Sequence, residues 1–125
     1  SYYAGMYAKY ILEKLAKIPV EIDFASEFRY REPVIPAKSL VIVISQSGET
    51  ADTLAVLRQA KEAGAQVLSI TNTKGSTIDR ESHAHLYMHA GVEIGVASTK
   101  ALISTLTVLN LLAVKIGLLR GTLPA

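Results

Sequence analysis

The sequence predicts an α/β fold in which a parallel β-sheet is covered by helices on both faces. Short apolar runs that suit strands alternate with segments whose apolar residues recur at the three- and four-residue spacing of amphipathic helices. The connections between the apolar runs are too long for hairpins, so we expect parallel strands joined by right-handed crossovers. The pattern predicts four strands, with no internal repeat or low-complexity linker between them.

Composition indicates one globular, core-rich domain. The chain has 125 residues, of which 50% are hydrophobic and 19% are charged. A net charge of +2 without runs of like charge argues against non-specific nucleic-acid binding. The absence of cysteine excludes disulfides and thiolate metal sites, and no basic-then-apolar leader is found, so we expect a cytoplasmic protein.

The first third of the chain predicts a helix, an edge strand and a short helical turn. Apolar residues at helical spacing indicate a helix over residues 2–17, which Pro19 ends. Apolar and acidic residues alternate over residues 20–24, as in a half-covered strand near a sheet edge. A helical turn over residues 25–30 follows. Because Ser1 stands directly at a helix N-terminus, we expect the chain to be a piece of a longer protein.

The middle of the chain predicts the strand and helix around which the fold is built. The unbroken apolar run of residues 40–44 suits a central strand that is buried on both faces. A helix is expected over residues 50–63, and Gly64 suits a left-handed cap at its end.

The last third continues the alternation of strands and helices. Residues 66–71 predict a strand, and Ser76 with Asp79 resembles a capping box for a short helix that ends near Ser82. Residues 85–89 predict a fourth strand, and a long final helix is expected over residues 97–119.

The final helix requires a comparison with a membrane span. Its apolar stretch, residues 101–119, is about as long as the ~20 residues that cross a bilayer. Polar residues interrupt it at Ser104, Thr105, Thr107, Asn110 and Lys115. Because a spanning helix would carry Lys115 through hydrocarbon, we favour a buried or dimer-facing helix.

Ligands of open parallel sheets bind beyond the carboxyl ends of the strands, which here carry residues 45–50, 71–76 and 90–98. The first of these loops offers hydroxyl donors from Ser45, Ser47 and Thr50 and an amide donor from Gln46. Gly48 lets the backbone approach a ligand without a Cβ. The helix that follows presents its positive end, so the turn suits an anion.

The turn contains no Lys or Arg, which separates it from the Walker loop that holds nucleotide phosphates. A phosphomonoester held by neutral donors fits the turn better. The alternative is that residues 45–50 are only a well-capped helix start. We favour phosphate binding, because capping needs one hydroxyl and three are present.

Other candidate residues have simpler explanations. On one strand, His85 and His89 would lie about 13 Å apart at ~3.3 Å per residue, too far to share a metal, so surface or interface histidines are favoured. Glu93 could be a base, but a helix cap or a pair with Lys100 is favoured. Ser98 and Thr99 suit N-capping and ligand contact equally.

Three segments together resemble the first sugar isomerase (SIS) domain of the glucosamine-6-phosphate synthases: ASEFRYR at 25–31, SQSGETADT at 45–53 and GVEIGVASTK at 91–100. The resemblance implies a flavodoxin-like, three-layer αβα sandwich with a parallel sheet of four to five strands. It also implies membership of a glutamine-dependent amidotransferase, a glutamine-fructose-6-phosphate transaminase (isomerizing), that makes glucosamine 6-phosphate from fructose 6-phosphate.

The resemblance assigns the binding residues. It implies that Ser45, Gln46, Ser47 and Thr50 hold the phosphate and that three further residues lie at the sugar: Ser1, Val96 and Ser98. It implies no cofactor, no metal and no catalytic residue in this chain, since the family's catalysts lie in a second SIS domain, a glutaminase domain and a C-terminal tail. We therefore expect this chain to bind fructose 6-phosphate or glucosamine 6-phosphate without turning it over. We also expect a homodimer, with no nucleic-acid or membrane partner.

Two other functions remain open at this point. One is a phosphosugar-sensing SIS module of a transcriptional regulator, although the chain has no helix-turn-helix or basic patch. The other is a structural dimerisation module built on the apolar first and last helices, which would dimerise without binding sugar phosphates.

Overall fold

The computed structural model describes residues 2–90 and 99–124. They belong to two compact units. The helical unit comes from the two ends of the chain, Ser1–Asp23 and Ala90–Ala125, and the sheet unit is the continuous segment Phe24–His89.

The sheet unit contains a parallel sheet of three strands in the order β1-β2-β3: β1 Leu40–Ser45, β2 Gln66–Thr71 and β3 Ala84–Tyr87. The register places Ser45 beside Thr71, and Thr71 beside Tyr87. The carboxyl ends of all three strands therefore meet at one edge. The predicted α/β class with a parallel sheet is confirmed.

Three helices complete the sheet unit: α2 Ala25–Phe28, α3 Ala51–Glu62 and α4 Thr77–Glu81. The buried core combines apolar side chains of α3, α4, the strands and the residue before β2, namely Val43, Val56, Leu57, Ala60, Ala65, Val67 and Ile78. Gly64 follows Ala63, the C-cap residue of α3, and has a φ of +86°, as the sequence predicted. The Ser76 hydroxyl accepts a hydrogen bond from the Asp79 N–H, which confirms the predicted cap of α4.

The strand predicted over residues 20–24 is absent from the described sheet. Val20 instead bonds to side chains of the first helix: its N–H donates to Glu13 Oε2 at 3.1 Å, and its carbonyl accepts from Lys9 Nζ at 2.6 Å. These bonds occupy both backbone groups of Val20, the first residue of the predicted strand. The alternation of apolar and acidic residues was therefore misleading here.

Two further strand predictions need correction. Among the described strands, β2 is the central one and β1 lies at an edge, with Leu40 49% exposed. The fourth predicted strand, residues 85–89, is shifted to Ala84–Tyr87. His89 has a φ of +54°, which is incompatible with a continuing strand.

The helical unit pairs an N-terminal helix with the long C-terminal one. Helix α1, Tyr2–Ile11, continues as a π-helical segment, Leu12–Ala16, and ends at Lys17, whose φ is +57°. Helix α5 is Thr99–Arg120. The first predicted helix, residues 2–17, is confirmed, although its last part is π-helical. The last predicted helix, residues 97–119, is confirmed over the described residues and ends at Arg120, whereas residues 97 and 98 lie outside the described part of the chain.

The end of the π-helical segment is closed by residues from the other end of the chain. The Leu15 carbonyl accepts from Thr122 Oγ1 at 2.6 Å, and the Ala16 carbonyl accepts from Arg120 Nε at 2.9 Å. These two acceptors are among the carbonyls that a helix cannot satisfy internally.

Helix α5 is long and apolar enough, over Lys100–Arg120, to cross a membrane by length and composition alone. Core helices of soluble proteins meet the same criterion. Leu109 and Ala113 are buried, whereas Leu111 and Leu119 are exposed. The Asn110 side chain accepts a hydrogen bond from the Tyr7 hydroxyl of α1 at 2.7 Å. This polar residue of α5 therefore has a partner within the helical unit.

Candidate functional site

The candidate turn, residues 45–50, joins the end of β1 to the start of α3. Ser45 is buried, and its Oγ lies 2.8 Å from the Oγ1 of Thr50. The Ser45 Oγ also accepts from the Gly48 N–H at 3.1 Å. One buried hydroxyl therefore closes the turn from inside.

The other hydroxyls of the turn are at the surface. Thr50 is the N-cap residue of α3, yet its side chain makes no capping bond, because it pairs with Ser45. Ser47 is exposed and its Oγ accepts from the Glu49 N–H at 3.1 Å. A well-capped helix start would have used Thr50 as the cap. The simpler alternative therefore does not account for the position of the Thr50 hydroxyl.

Gly48 occupies a position that only glycine fits. Its φ is +71°, and a Cβ built on it would lie 2.5 Å from the Cβ of Ser76. The sequence suggested glycine here for close approach to a ligand. The structure adds a second reason, which is the close packing of the turn against Ser76.

The turn is bonded to the loop that follows β2. The Gln46 carbonyl accepts from the Asn72 N–H at 3.0 Å and from Thr73 Oγ1 at 3.4 Å. The structure thus brings residues 45–50 and 71–76 together at the carboxyl edge of the sheet, as predicted for a parallel fold.

Glu49 is a residue whose role the sequence did not indicate. Its Oε1 accepts from the Thr77 N–H of α4 at 2.8 Å. Hydrogen bonding to the side chain and the backbone N–H of Thr77 lowers the pKa of Glu49, with a further contribution from the charge of Arg80. The carboxylate is therefore ionised near neutral pH and is bonded to α4.

Asp79 of α4 is only 5% exposed and bonds to the loop that follows β2. One carboxylate accepts from the Gly75 N–H at 2.7 Å, from the Tyr87 hydroxyl at 3.0 Å and from His85 Nδ1 at 2.9 Å. Burial raises the pKa of Asp79, but the hydrogen bonds from Gly75 and Tyr87 and the interaction with His85 outweigh it, so the pKa lies below its usual value.

The histidines show no metal arrangement. His85 contacts Asp79, and the His89 ring packs edge-on against Tyr87 with 6.1 Å between ring centroids. Among residues 2–90 and 99–124, no group of three or more histidine and acidic side chains could hold a metal ion.

Several candidate residues lie outside the described part of the chain. Ser1, Glu93, Val96 and Ser98 are among them. Thr99 begins helix α5.

Comparison with known proteins finds a matching family and similar enzymes. The family described as "SIS domain" matches residues 1–115. The glutamine–fructose-6-phosphate aminotransferase (isomerizing) of Streptomyces coelicolor is 55% identical over 122 residues, which cover 98% of this chain and 20% of that protein. The corresponding Thermus thermophilus enzyme is 57% identical over 121 residues, 97% of this chain and 20% of that protein.

A solved structure gives the same result. The C-terminal domain of glucosamine-fructose-6-phosphate aminotransferase from Francisella tularensis superposes with a TM-score of 0.95 at 47% identity, covering 98% of this chain and 35% of that one. The chain spans about a fifth of the length of the two sequence relatives. The resemblance to the SIS domains of glucosamine-6-phosphate synthases is confirmed, and the chain belongs to the SIS domain family.

Proposed function

We propose that this chain is the phosphosugar-binding domain of a glutamine-dependent fructose-6-phosphate aminotransferase that makes glucosamine 6-phosphate. The identity of 55% to such an enzyme over nearly the whole chain supports the assignment. The observation that carries the binding role is the Thr50 hydroxyl, which pairs with Ser45 rather than capping α3. The N-terminal N–H groups of α3 are thereby not capped by the Thr50 side chain.

The proposed phosphate ligands are Ser45, Gln46, Ser47 and Thr50. No Lys or Arg lies within residues 45–50, so the donors are hydroxyl, amide and backbone N–H groups. A hydrogen bond to a charged group contributes about 1.5–3 kcal/mol, whereas a helix N-terminus contributes about 0.3–1 kcal/mol. The direct bonds therefore dominate the affinity for a phosphomonoester.

The rest of the proposal concerns the whole protein. We place Ser1, Val96 and Ser98 at the sugar. We assign the catalytic steps to a second SIS domain, a glutaminase domain and a C-terminal tail of a longer cytoplasmic protein. This chain, one SIS domain, would bind fructose 6-phosphate without converting it. Glucosamine 6-phosphate formed from fructose 6-phosphate and glutamine by the 125-residue chain would contradict this division.

Homodimer formation is also part of the proposal. The helical unit exposes large apolar side chains on both α1 and α5, including Tyr3, Tyr10, Leu111 and Leu119. Such side chains suit an interface with another protein surface. Sedimentation measurements over a range of concentrations would show whether the chain dimerises.

Titration calorimetry with fructose 6-phosphate tests the binding role directly. Ser47→Ala and Thr50→Ala should each weaken binding by about ten- to a hundredfold, because each removes one hydrogen bond to a charged group. Thr107→Ala is the control, since Thr107 is exposed on α5 and its hydroxyl bonds to the Ile103 carbonyl. Equal affinities for the wild type and both turn variants would contradict the assignment.

A further inference from the structure

Glu49 is the one charged side chain between Ser45 and Thr50. A carboxylate at this position would repel a bound phosphate if it faced the ligand. In the structure it is bonded away from the turn, with its Oε1 2.8 Å from the Thr77 backbone nitrogen. The carboxylate therefore has a defined partner that is not a ligand.

Neighbouring residues of the turn bind neighbouring N–H groups of α4. The Glu49 carboxylate accepts from Thr77, and the Gly48 carbonyl accepts from Ile78 at 2.9 Å. These N–H groups belong to the first turn of a helix and have no acceptor within it. The turn thus supplies acceptors to α4, and α4 in return fixes the position of two consecutive turn residues.

Of the two bonds to α4, only the one that Glu49 accepts can be removed by a simple substitution. The Gly48 carbonyl belongs to the backbone, and any side chain at that position meets Ser76. The Glu49 carboxylate is exposed and can be changed without filling buried space. Glu49 is therefore the contact between turn and helix that can be tested alone.

We propose that Glu49 is a positioning residue for phosphate binding, which holds the turn in its binding geometry by accepting the Thr77 N–H of α4. This inference rests on the proposed function of the turn. Without the bond, the turn spends part of its time in other conformations. The apparent affinity then falls by the fraction of chains whose turn is competent to bind.

Calorimetric titration of fructose 6-phosphate and, separately, inorganic phosphate into four proteins tests the inference. Glu49→Ala should weaken the binding of both ligands by about five- to tenfold, because only a fraction of its turns is competent. Glu49→Gln should bind within about twofold of the wild type, since its amide oxygen can still accept from Thr77. Glu62→Ala is the control, because Glu62 is an exposed glutamate at the end of α3.

A second measurement separates positioning from general destabilisation. Amide hydrogen exchange at Thr77, followed by NMR, should speed up in Glu49→Ala and stay near the wild-type rate in Glu49→Gln. If circular dichroism shows Glu49→Ala to be unfolded, Glu49→Asp takes its place. The aspartate side chain is one methylene too short to keep the bond, so it should weaken binding as the alanine does.

The outcomes distinguish this inference from the proposed function. A wild-type chain that binds neither ligand removes the proposed function and this inference with it. Wild-type binding together with unchanged affinity in Glu49→Ala overturns the inference alone. Equal weakening in Glu49→Gln and Glu49→Ala would also overturn it, because the charge and not the bond to Thr77 would then be responsible.

Discussion

The side-chain oxygens of Ser45 and Thr50 lie 2.8 Å apart and join the last residue of β1 to the N-cap residue of α3. Ser45 is 3% exposed, whereas Thr50 is at the surface. The bond therefore connects a buried strand end to an exposed position of the proposed site. Removing the Thr50 hydroxyl should therefore weaken ligand binding more than it disturbs the packing of the core.

Thr50→Val tests the Thr50 hydroxyl, both as the partner of Ser45 and as a proposed hydrogen-bond donor to the phosphate, because valine keeps the shape of threonine and removes the hydroxyl. We expect affinity for fructose 6-phosphate to fall about tenfold or more, since the loss of one hydrogen bond to a charged group is worth at least one factor of ten. Thr50→Ser should keep most of the affinity. Calorimetry measures all three proteins, with Thr107→Val on the exposed face of α5 as the control. A Thr50→Ser variant as weak as Thr50→Val would show that the methyl group matters instead.

Gly48→Ala should destabilise the protein more than Gly75→Ala. Both glycines have positive φ, +71° and +83°, so each alanine carries a strain of about 1–2 kcal/mol. Only at Gly48 does the new Cβ also collide with Ser76, whereas nothing lies within 4 Å at Gly75. The collision should add about 1–3 kcal/mol to the loss of unfolding free energy, measured by urea denaturation.

The double variant Gly48→Ala/Ser76→Gly checks the cause of that difference. Removing the Ser76 side chain removes the atoms that the new Cβ meets, and glycine is tolerated at an N-cap at a cost of only a few tenths of a kcal/mol relative to serine. Because the two residues are in contact, their effects should not add. Additive losses in this cycle would mean that the backbone conformation, and not the collision, explains the Gly48→Ala result.

The sequence was sufficient to predict features that depend on a few neighbouring residues. The strand at residues 66–71, the left-handed Gly64 and the cap of α4 by Ser76 all agree with the structure. The grouping of residues 45–50 with 71–76 also followed, because parallel strands place their carboxyl ends at one edge. These features depend on local chemistry or on topology alone.

Predictions from the sequence were wrong or missing where contacts between distant residues determine the local structure. Residues 20–24 alternate as a strand does, but the backbone of Val20 is bonded to Lys9 and Glu13. No local pattern reveals that competition. The contact of Glu49 with Thr77 joins residues 28 positions apart, so the sequence alone gave no reason to single out Glu49.

Stability should fall in acid because of Asp79. Its folded-state pKa lies below the usual 3.8, so the unfolded chain binds more protons as the pH falls. The contribution of Asp79 is fully present above about pH 5 and is lost as the pH falls through the folded pKa. Urea denaturation between pH 3 and pH 7 should therefore show a smaller free energy of unfolding at the acid end.

Asp79→Asn provides the comparison for that experiment. Its amide oxygen can still accept from the Gly75 N–H, but the side chain no longer titrates. The variant should be less stable than the wild type near pH 7 and should show a flatter dependence on pH below about pH 5. Identical slopes in the two proteins would assign the acid sensitivity to other carboxylates.

Two glycines in the helical unit should respond in opposite directions to alanine. Both Gly5 in α1 and Gly117 in α5 lie within helices, where alanine is favoured over glycine by about 0.5–1 kcal/mol. At Gly5 the nearest atom to a new Cβ is Ile22 Cγ2 at 3.7 Å, which is an ordinary contact, so Gly5→Ala should stabilise the protein by about that amount.

At Gly117 the same substitution meets a backbone atom. A Cβ there would lie 2.9 Å from the Leu15 carbonyl oxygen and 2.8 Å from Leu123 Cδ1. The leucine side chain can rotate away, but the carbonyl is held by its bond from Thr122. Overpacking of about 1–3 kcal/mol should exceed the gain in helix propensity, so Gly117→Ala should lower the unfolding temperature while Gly5→Ala raises it. Thermal unfolding followed by circular dichroism measures both, and a stabilised Gly117→Ala would mean that α5 can shift away from Leu15.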